Sequence, residues 1–262
     1  MSVILAVRRP MKAALGEAAM THSAIPRPAG SAPERPWPRG TLLAELSAAS
    51  RARLMDLGSR RRYEHGEVLL REQERSTHVV LLLGGFAKVT SNLGDGRVAL
   101  LGIRMAGDTV GEMAALDGSP RSASVMACGR VLVKIISRDE FLGLLQDVPE
   151  VGIKVSGVIS RRLRWANRRR VDFYGYPTRV RLARILVDLA GTYGHPQDEG
   201  IVFDVELTQD ELGAMAGADA DTAGRELRKL KSRGLIATGY RRTAILDLDA
   251  LRAQARPAGG AE

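Results

Sequence analysis

Cysteine is nearly absent: Cys128 is the one thiol among 262 residues. A single cysteine excludes an internal disulfide and any iron–sulfur cluster held by several thiolates, and it suits a reduced, cytoplasmic setting. No run approaches 18 apolar residues, so no segment is expected to cross a membrane as a helix. The opening Ser2–Val7, ahead of Arg8 and Arg9, is too short an apolar core for a secretory signal. Histidine is scarce, with four residues, and none lies in a metal-spaced cluster with aspartate. His65 and His78 fall in the front half, but isolated histidines are ordinarily surface or core residues, so neither haem nor metal is expected. A Gly-rich phosphate loop is also missing, and a Ser-His-Asp arrangement has no support. An enzyme that makes or destroys nucleotides therefore finds no footing in the sequence.

What is present begins with length and charge. The chain is long enough for two domains with separate cores. Its 39 basic residues outnumber 30 acidic ones, giving +9, which favours a polyanionic partner such as nucleic acid. Residues 1–40 hold six of the eleven prolines. Proline removes donors and fixes φ, so this stretch reads as an extended or disordered arm.

From residue 41 the patterns change. Leu42, Leu43, Leu46, Leu54 and Leu57 suggest short helices. Short apolar runs follow at Val68–Leu70, Val79–Leu83, Ala87–Val89, Val98–Ile103, Ser124–Ala127 and Val131–Ile136, divided by turn signals such as Gly84-Gly85. Evenly spaced short strands with glycine turns indicate a sandwich or barrel. Ser137–Gln146 reads as a brief helix. Beyond Pro149, Val151, Val155, Ile159, Leu163 and Ala166 recur at helical spacing, predicting a helix of about 25 residues, roughly 37 Å long. Its apolar seam is expected to pair with a second copy, the alternative being a helix packed wholly on its own barrel. An interdomain hinge is expected at Gly175–Pro177, where proline interrupts helix.

Between the fourth and fifth apolar runs lies Gly111-Glu112-Met113, followed by Arg121-Ser122-Ala123. A helix start offers unpaired N–H groups to an anion. Arg121 adds a planar cationic fork, Ser122 a hydroxyl, and Glu112 an acceptor for a sugar hydroxyl. These parts suit a ligand with one phosphate and one ribose. The plainer alternative is a turn in which Arg121 pairs with Glu112 for structural reasons.

At the C-terminal end, Thr208-Gln209-Asp210-Glu211 has the form of a capping box. Leu212, Met215 and Ala216 face a core, Gly217-Ala218 permits a tight turn, and Asp219 can cap a second helix with Ala223, Leu227 and Leu230 buried. Between Arg225 and Arg242 there are seven basic residues against one acidic. Leu235–Leu246 reads as two strands forming a wing with a basic tip that includes Arg241. A helix entering a major groove beside such a wing is a DNA-binding design.

In this order the elements resemble the CRP/FNR family of bacterial transcription regulators, over about residues 50–250. The resemblance implies an α+β chain: arm 1–40, a cyclic-nucleotide-binding-like jelly-roll β-barrel over 41–148, a dimerisation helix and hinge over 149–176, a winged helix-turn-helix over 177–252, and a flexible tail over 253–262. It further implies a cyclic nucleotide effector, cyclic AMP first, with double-stranded DNA, a second copy and RNA polymerase as partners. Glu112 would take the ribose 2′-hydroxyl, while Arg121, Ser122 and the N–H groups of Gly111 to Met113 take the phosphate. The adenine-reading positions align with Ala166 and Asn167, and the hydroxyl donor expected at the first is missing. Asp219, Ala220, Asp221, Thr222 and Arg225 fall on the groove-facing start of the recognition helix, joined by Thr208, Gln209, Lys229 and Arg241. Arg225 is suited to guanine, Asp221 to cytosine and Thr222 to phosphate. Ala220 stands where the familiar receptor has arginine, so the preferred operator should differ. The rival reading keeps the DNA binding without a nucleotide, or with another effector.

Overall fold

The computed structural model describes residues 37–197, 200–203, 205–239 and 242–256. The arm up to residue 36, Arg241 at the wing tip and the last residues of the tail lie outside the described residues.

Two short helices, α1 (Leu42–Glu45) and α2 (Ala48–Asp56), precede the strands. Strands β1 (Ser59–Tyr63), β2 (Val68–Leu70), β3 (Val79–Asn92), β4 (Val98–Met105), β5 (Thr109–Val110) and β6 (Ser124–Ile136) form one antiparallel system. Its path is β1-β6-β3-β4, with β2 on β6 and β5 on β3. Helix α3 (Glu112–Asp117) lies between β5 and β6. Leu69, Val80, Leu82, Val110, Val125 and Val133 fill one side. Leu42, Leu54, Val79, Leu81, Ile136 and Phe141 form a second cluster under the helices.

Two of these strands are longer than the apolar runs suggest. Val79–Leu83 and Ala87–Val89 belong to one strand, interrupted by register shifts around Gly84. The glycine pair is a bulge within a pleated strand, which bends without ending. Ser124–Ala127 and Val131–Ile136 merge in the same way. β1, Ser-Arg-Arg-Arg-Tyr, carries no apolar pattern; it sits at the sheet edge, where charge discourages pairing with other chains.

Ser137 starts α4 (Arg138–Asp147) with a complete capping box to Glu140. Pro149 then opens α5 (Pro149–Gly175), a single helix of 27 residues. The expected seam divides between two faces. Val151, Val155 and Val158 are buried within the chain, packed with Leu42, Phe141 and Leu144. Leu163, by contrast, is 59% exposed, as are Ile153 at 70% and Tyr174 at 78%. Val151 and Val155 thus serve the chain's own core, and the unpartnered stripe is a different one, rotated around the helix.

Helix α6 (Thr178–Tyr193) leads into β7 (Gly194–Gln197) and β8 (Gly200–Phe203). Helices α7 (Gln209–Met215) and α8 (Ala220–Ser232), strands β9 (Ile236–Gly239) and β10 (Arg242–Ile245), and α9 (Leu248–Gln254) follow among the described residues. β7-β8-β10-β9 form a second antiparallel sheet. Leu182, Ile185, Leu212, Leu227 and Ile245 make its core, and Leu100, Ile103 and Cys128 of the first sheet belong to the same cluster. The winged module therefore packs on β4 and β6. Lys88 bridges to Glu211 at 2.8 Å, Tyr193 Oη donates to Ile103 O at 3.0 Å, and the rings of Phe86 and Tyr193 meet edge to face.

The hinge is a stapled corner. Arg184 pairs with Asp172 and lies over the Tyr176 ring at 4.0 Å. Arg181 donates to Phe173 O at 3.1 Å and Gly217 O at 3.3 Å. Gly217 has φ +59, and a Cβ there would come within 2.8 Å of the Phe173 ring. The end of α5 is thus seated on the turn between α7 and α8. Among the described residues no helix is long and apolar enough to cross a membrane.

Candidate functional site

Gly111 is the N-cap of α3 and adopts φ 82, the left-handed region that favours glycine. Its shape has a second reason: a Cβ would lie 2.5 Å from Arg121 Nη1. Arg121 is 2% exposed. Its Nη1 donates to Gly111 O at 2.8 Å, its Nη2 to His78 O at 2.6 Å, and its Nε to Ser76 Oγ at 3.1 Å. Burial draws this guanidinium below its ordinary value, opposed by Glu74 and Glu112. Burial, and then Arg121, hold the His78 imidazole down as well. Arg121 does not hydrogen-bond Glu112, contrary to the plainer structural alternative; it ties the loop before β3 to the start of α3.

Glu112 is held from another element. It is 5% exposed, and its Oε1 accepts from Arg162 Nη1 of α5 at 2.8 Å. Arg162 Nη2 reaches Thr109 O at 2.9 Å and Asp108 Oδ1 at 3.4 Å. Glu112 Oε2 is buried without a hydrogen-bond partner. Burial raises the Asp108 carboxyl, against the pull of Arg162 and Arg104. Arg162 is the residue that sequence reading passed over. It stands four residues after Val158 on the same helical face, and a charge on an otherwise apolar stripe was the available signal.

These groups line a cavity of about 810 Å³, within the range of small-molecule sites. Gly111, Glu112, Met113, Arg121 and Ser122 all line it, with Arg104, Asp108, Arg162 and Trp165. Ser122 is exposed, so its hydroxyl is available. The cavity extends past the cassette to the winged module, whose Ile185, Leu189, Tyr193 and Met215 also contribute. Ala166 lines it, whereas Asn167 does not. Asn167 is exposed and within one chain makes no wall of the cavity, although Leu163, four residues before it, does.

The reader is built by local capping. Thr208 Oγ1 accepts from Glu211 N at 3.2 Å, and Glu211 Oε2 accepts from Thr208 N at 2.8 Å. Thr208 is thereby committed to its own helix, while Gln209 is exposed. Asp219 accepts from Thr222 N at 2.8 Å, and this bond holds its carboxyl below the ordinary value. Ala220, Asp221, Arg225 and Lys229 are exposed at and beyond the start of α8. Arg225 donates to Thr222 Oγ1 at 3.0 Å, and Lys229 to Glu226 at 2.8 Å. The two residues chosen for base and phosphate contact thus support each other along one face.

Comparison with known proteins follows this division. Residues 60–148 match the cyclic nucleotide-binding domain, and residues 180–254 match the Crp-like helix-turn-helix domain. The CRP-like cAMP-activated global transcriptional regulator of Mycobacterium tuberculosis is 27% identical over 194 residues, 74% of this chain and 87% of that protein. The cAMP-activated global transcriptional regulator CRP of Salmonella typhimurium is 26% identical over 180 residues, 67% of this chain and 84% of that one. A crystal structure of a CRP-family transcriptional regulator from Thermus thermophilus superposes with TM-score 0.64 at 26% identity, covering 74% of this chain and 96% of that one. The structure of FixK2 from Bradyrhizobium japonicum, at 18% identity, shares the fold with TM-score 0.68, covering 78% and 100%. With both domain models matched in the same order, on a β-domain, a long helix and a winged helix-turn-helix, the chain belongs to the CRP/FNR family of transcription regulators.

Proposed function

We propose that the protein acts as a homodimer whose binding to an inverted-repeat operator is controlled by a cyclic nucleotide seated on Gly111–Ser122. The observation that carries this reading is Glu112 Oε2, a buried carboxylate oxygen without a partner. Glu112 lines a cavity together with Arg121 and Ser122. A buried acceptor left unmade is costly, and a ribose hydroxyl would satisfy it. The remaining N–H groups of Arg121, with Ser122 Oγ, supply donors for the phosphate. The curated relatives are named for cyclic AMP, which makes it the first effector to titrate.

Coupling to DNA runs through Arg162. It joins Glu112 to α5, and the end of α5 rests on Gly217 beside the recognition helix. A ligand that competes for Glu112 changes the pull on Arg162, and differential contacts of this kind shift a two-state equilibrium. Two copies joined along the exposed stripe of α5 would place their recognition helices in successive major grooves, about 34 Å apart.

The experiment has two steps. Binding sites are first selected from a random duplex library. Anisotropy on the selected duplex is then measured with and without cyclic AMP and cyclic GMP. Effector should tighten DNA binding by roughly 5- to 150-fold, and operator should tighten effector binding by the same factor. Equal DNA affinities with and without every cyclic nucleotide would favour the ligand-independent reading, which the protein-held state of Arg121 supports.

A further inference from the structure

One cation on the cavity wall has no part in the cassette. Arg104 of β4 lines the cavity, and its Nη1 donates to the carbonyl of Ile103 at 2.8 Å. Its Nε is buried without an acceptor, and its Nη2 donates to none of the described residues. The Nε–Nη2 edge, the side-on fork of a guanidinium, is therefore unused. The strand is shaped to leave it in place: a Cβ at Gly102 would come 3.0 Å from Arg104 Nη1. Tyr193 Oη closes the same wall from the winged module by donating to Ile103 O at 3.0 Å.

Glu112 acts electrostatically on Arg121 and on Arg104. Arg104 lines the same cavity as Glu112, Arg121 and Ser122, so a nucleotide with its phosphate on Arg121 and Ser122 and its ribose on Glu112 can bring its base to Arg104. Two cations, Arg104 and Arg162, stand here with two carboxylates, Asp108 and Glu112. These four charges balance one another, and an uncharged group with two acceptors matches the fork without disturbing that balance. A guanidinium fork matches the O6 and N7 acceptors of guanine, whereas adenine presents an N6 amine beside N7 and opposes donor to donor.

We propose that Arg104 reads the effector's base and selects a 6-keto purine, so that cyclic GMP is preferred to cyclic AMP. This rests on the cassette holding phosphate and ribose, and it adds the identity of the base. It is tested by calorimetric titration of the wild-type protein with cyclic GMP, cyclic IMP, cyclic AMP and 7-deaza-cyclic GMP. The first two should bind at least about tenfold more tightly than cyclic AMP, and loss of N7 should weaken cyclic GMP about tenfold. Arg104→Leu should bring cyclic GMP and cyclic AMP to within about threefold while both still bind, because the phosphate and ribose contacts remain. The wild-type panel carries the test independently of that variant's stability. Cyclic AMP binding as tightly as cyclic GMP overturns the base assignment and leaves the cassette standing. Cyclic IMP following cyclic AMP also overturns it, by placing recognition on the 2-amino group. If none of the four binds, the cassette reading and the base assignment fall together.

Discussion

At the scale of single residues, Arg121 and Ser122 stand side by side in the sequence and differ in what they do. Arg121 already satisfies two backbone carbonyls and a hydroxyl inside the protein. Arg121→Ala should therefore destabilise the fold by about 2–5 kcal/mol, through the acceptors left unpaired, whatever it does to ligand binding. Ser122 is exposed at the cavity, and Ser122→Ala should change stability by less than about 0.5 kcal/mol. Its effect falls on the ligand, with cyclic nucleotide affinity reduced roughly tenfold for one lost hydrogen bond to a charged phosphate. Thermal melts and calorimetry on both variants separate the two roles. A Ser122→Ala protein that binds as wild type would remove Ser122 from the phosphate site. That Gly111, Glu112, Arg121 and Ser122 line one cavity is in keeping with their spacing and with the family resemblance. The bond from Glu112 to Arg162 was not legible in the sequence, because it joins positions fifty residues apart, and neither side chain announces the other.

At the scale of elements, local chemistry was legible where the partners are three residues apart. The capping box at Thr208 and the cap at Asp219 lie where their spacing put them. Thr208→Ala should cost about 1 kcal/mol in unfolding by denaturant, the usual effect of a lost N-cap. A cost near zero would mean that Lys88, which also reaches Glu211, holds the turn unaided. Strands β3 and β6 were read as shorter pieces because glycine ordinarily ends an element; their continuity comes from pairing with each other across the bulges. Glu150 illustrates a contact between elements. It accepts from Ser47 N, Ser47 Oγ and Ser50 Oγ, tying α5 to the start of α2. These bonds, those of Ser50 and Ser47 foremost, hold its carboxyl down at about 2, against 4.5 unperturbed. With the folded value depressed, the unfolded chain binds the extra proton between those limits. The stability Glu150 contributes is thus complete above about pH 4.5 and is lost as the pH falls through 2. Glu150→Gln should lower the melting temperature at pH 6, and the gap to wild type should close between pH 4.5 and 2. A gap independent of pH would show that the charge is not what matters.

At the scale of the whole molecule, the order of domains was legible because each part has its own periodicity. The seating of the winged module on the β-domain was not, since it depends on Lys88, Phe86 and Cys128 meeting residues of a distant segment. Helix α5 has one face turned inward and another exposed among the described residues. Ile153, Ser156, Ser160, Leu163, Asn167, Arg170 and Tyr174 follow the alternating three- and four-residue spacing of a two-helix seam. Ile153, Leu163 and Tyr174 are more than half exposed. Apolar side chains so spaced on a helix longer than its own support are suited to a second copy, with Asn167 as the polar position that fixes register. Leu163→Glu sets a carboxylate at the centre of this seam and, in a symmetric pair, opposes it to its twin. Sedimentation should then show a dimer for wild type and a monomer for the variant. The melting temperature of the chain itself should change little, because Leu163 belongs to none of the three buried clusters. Binding to a single half-site should survive, while the gain from an inverted repeat is lost, since that gain depends on joining two readers. A variant that stays dimeric would move the contact between copies away from this face of α5.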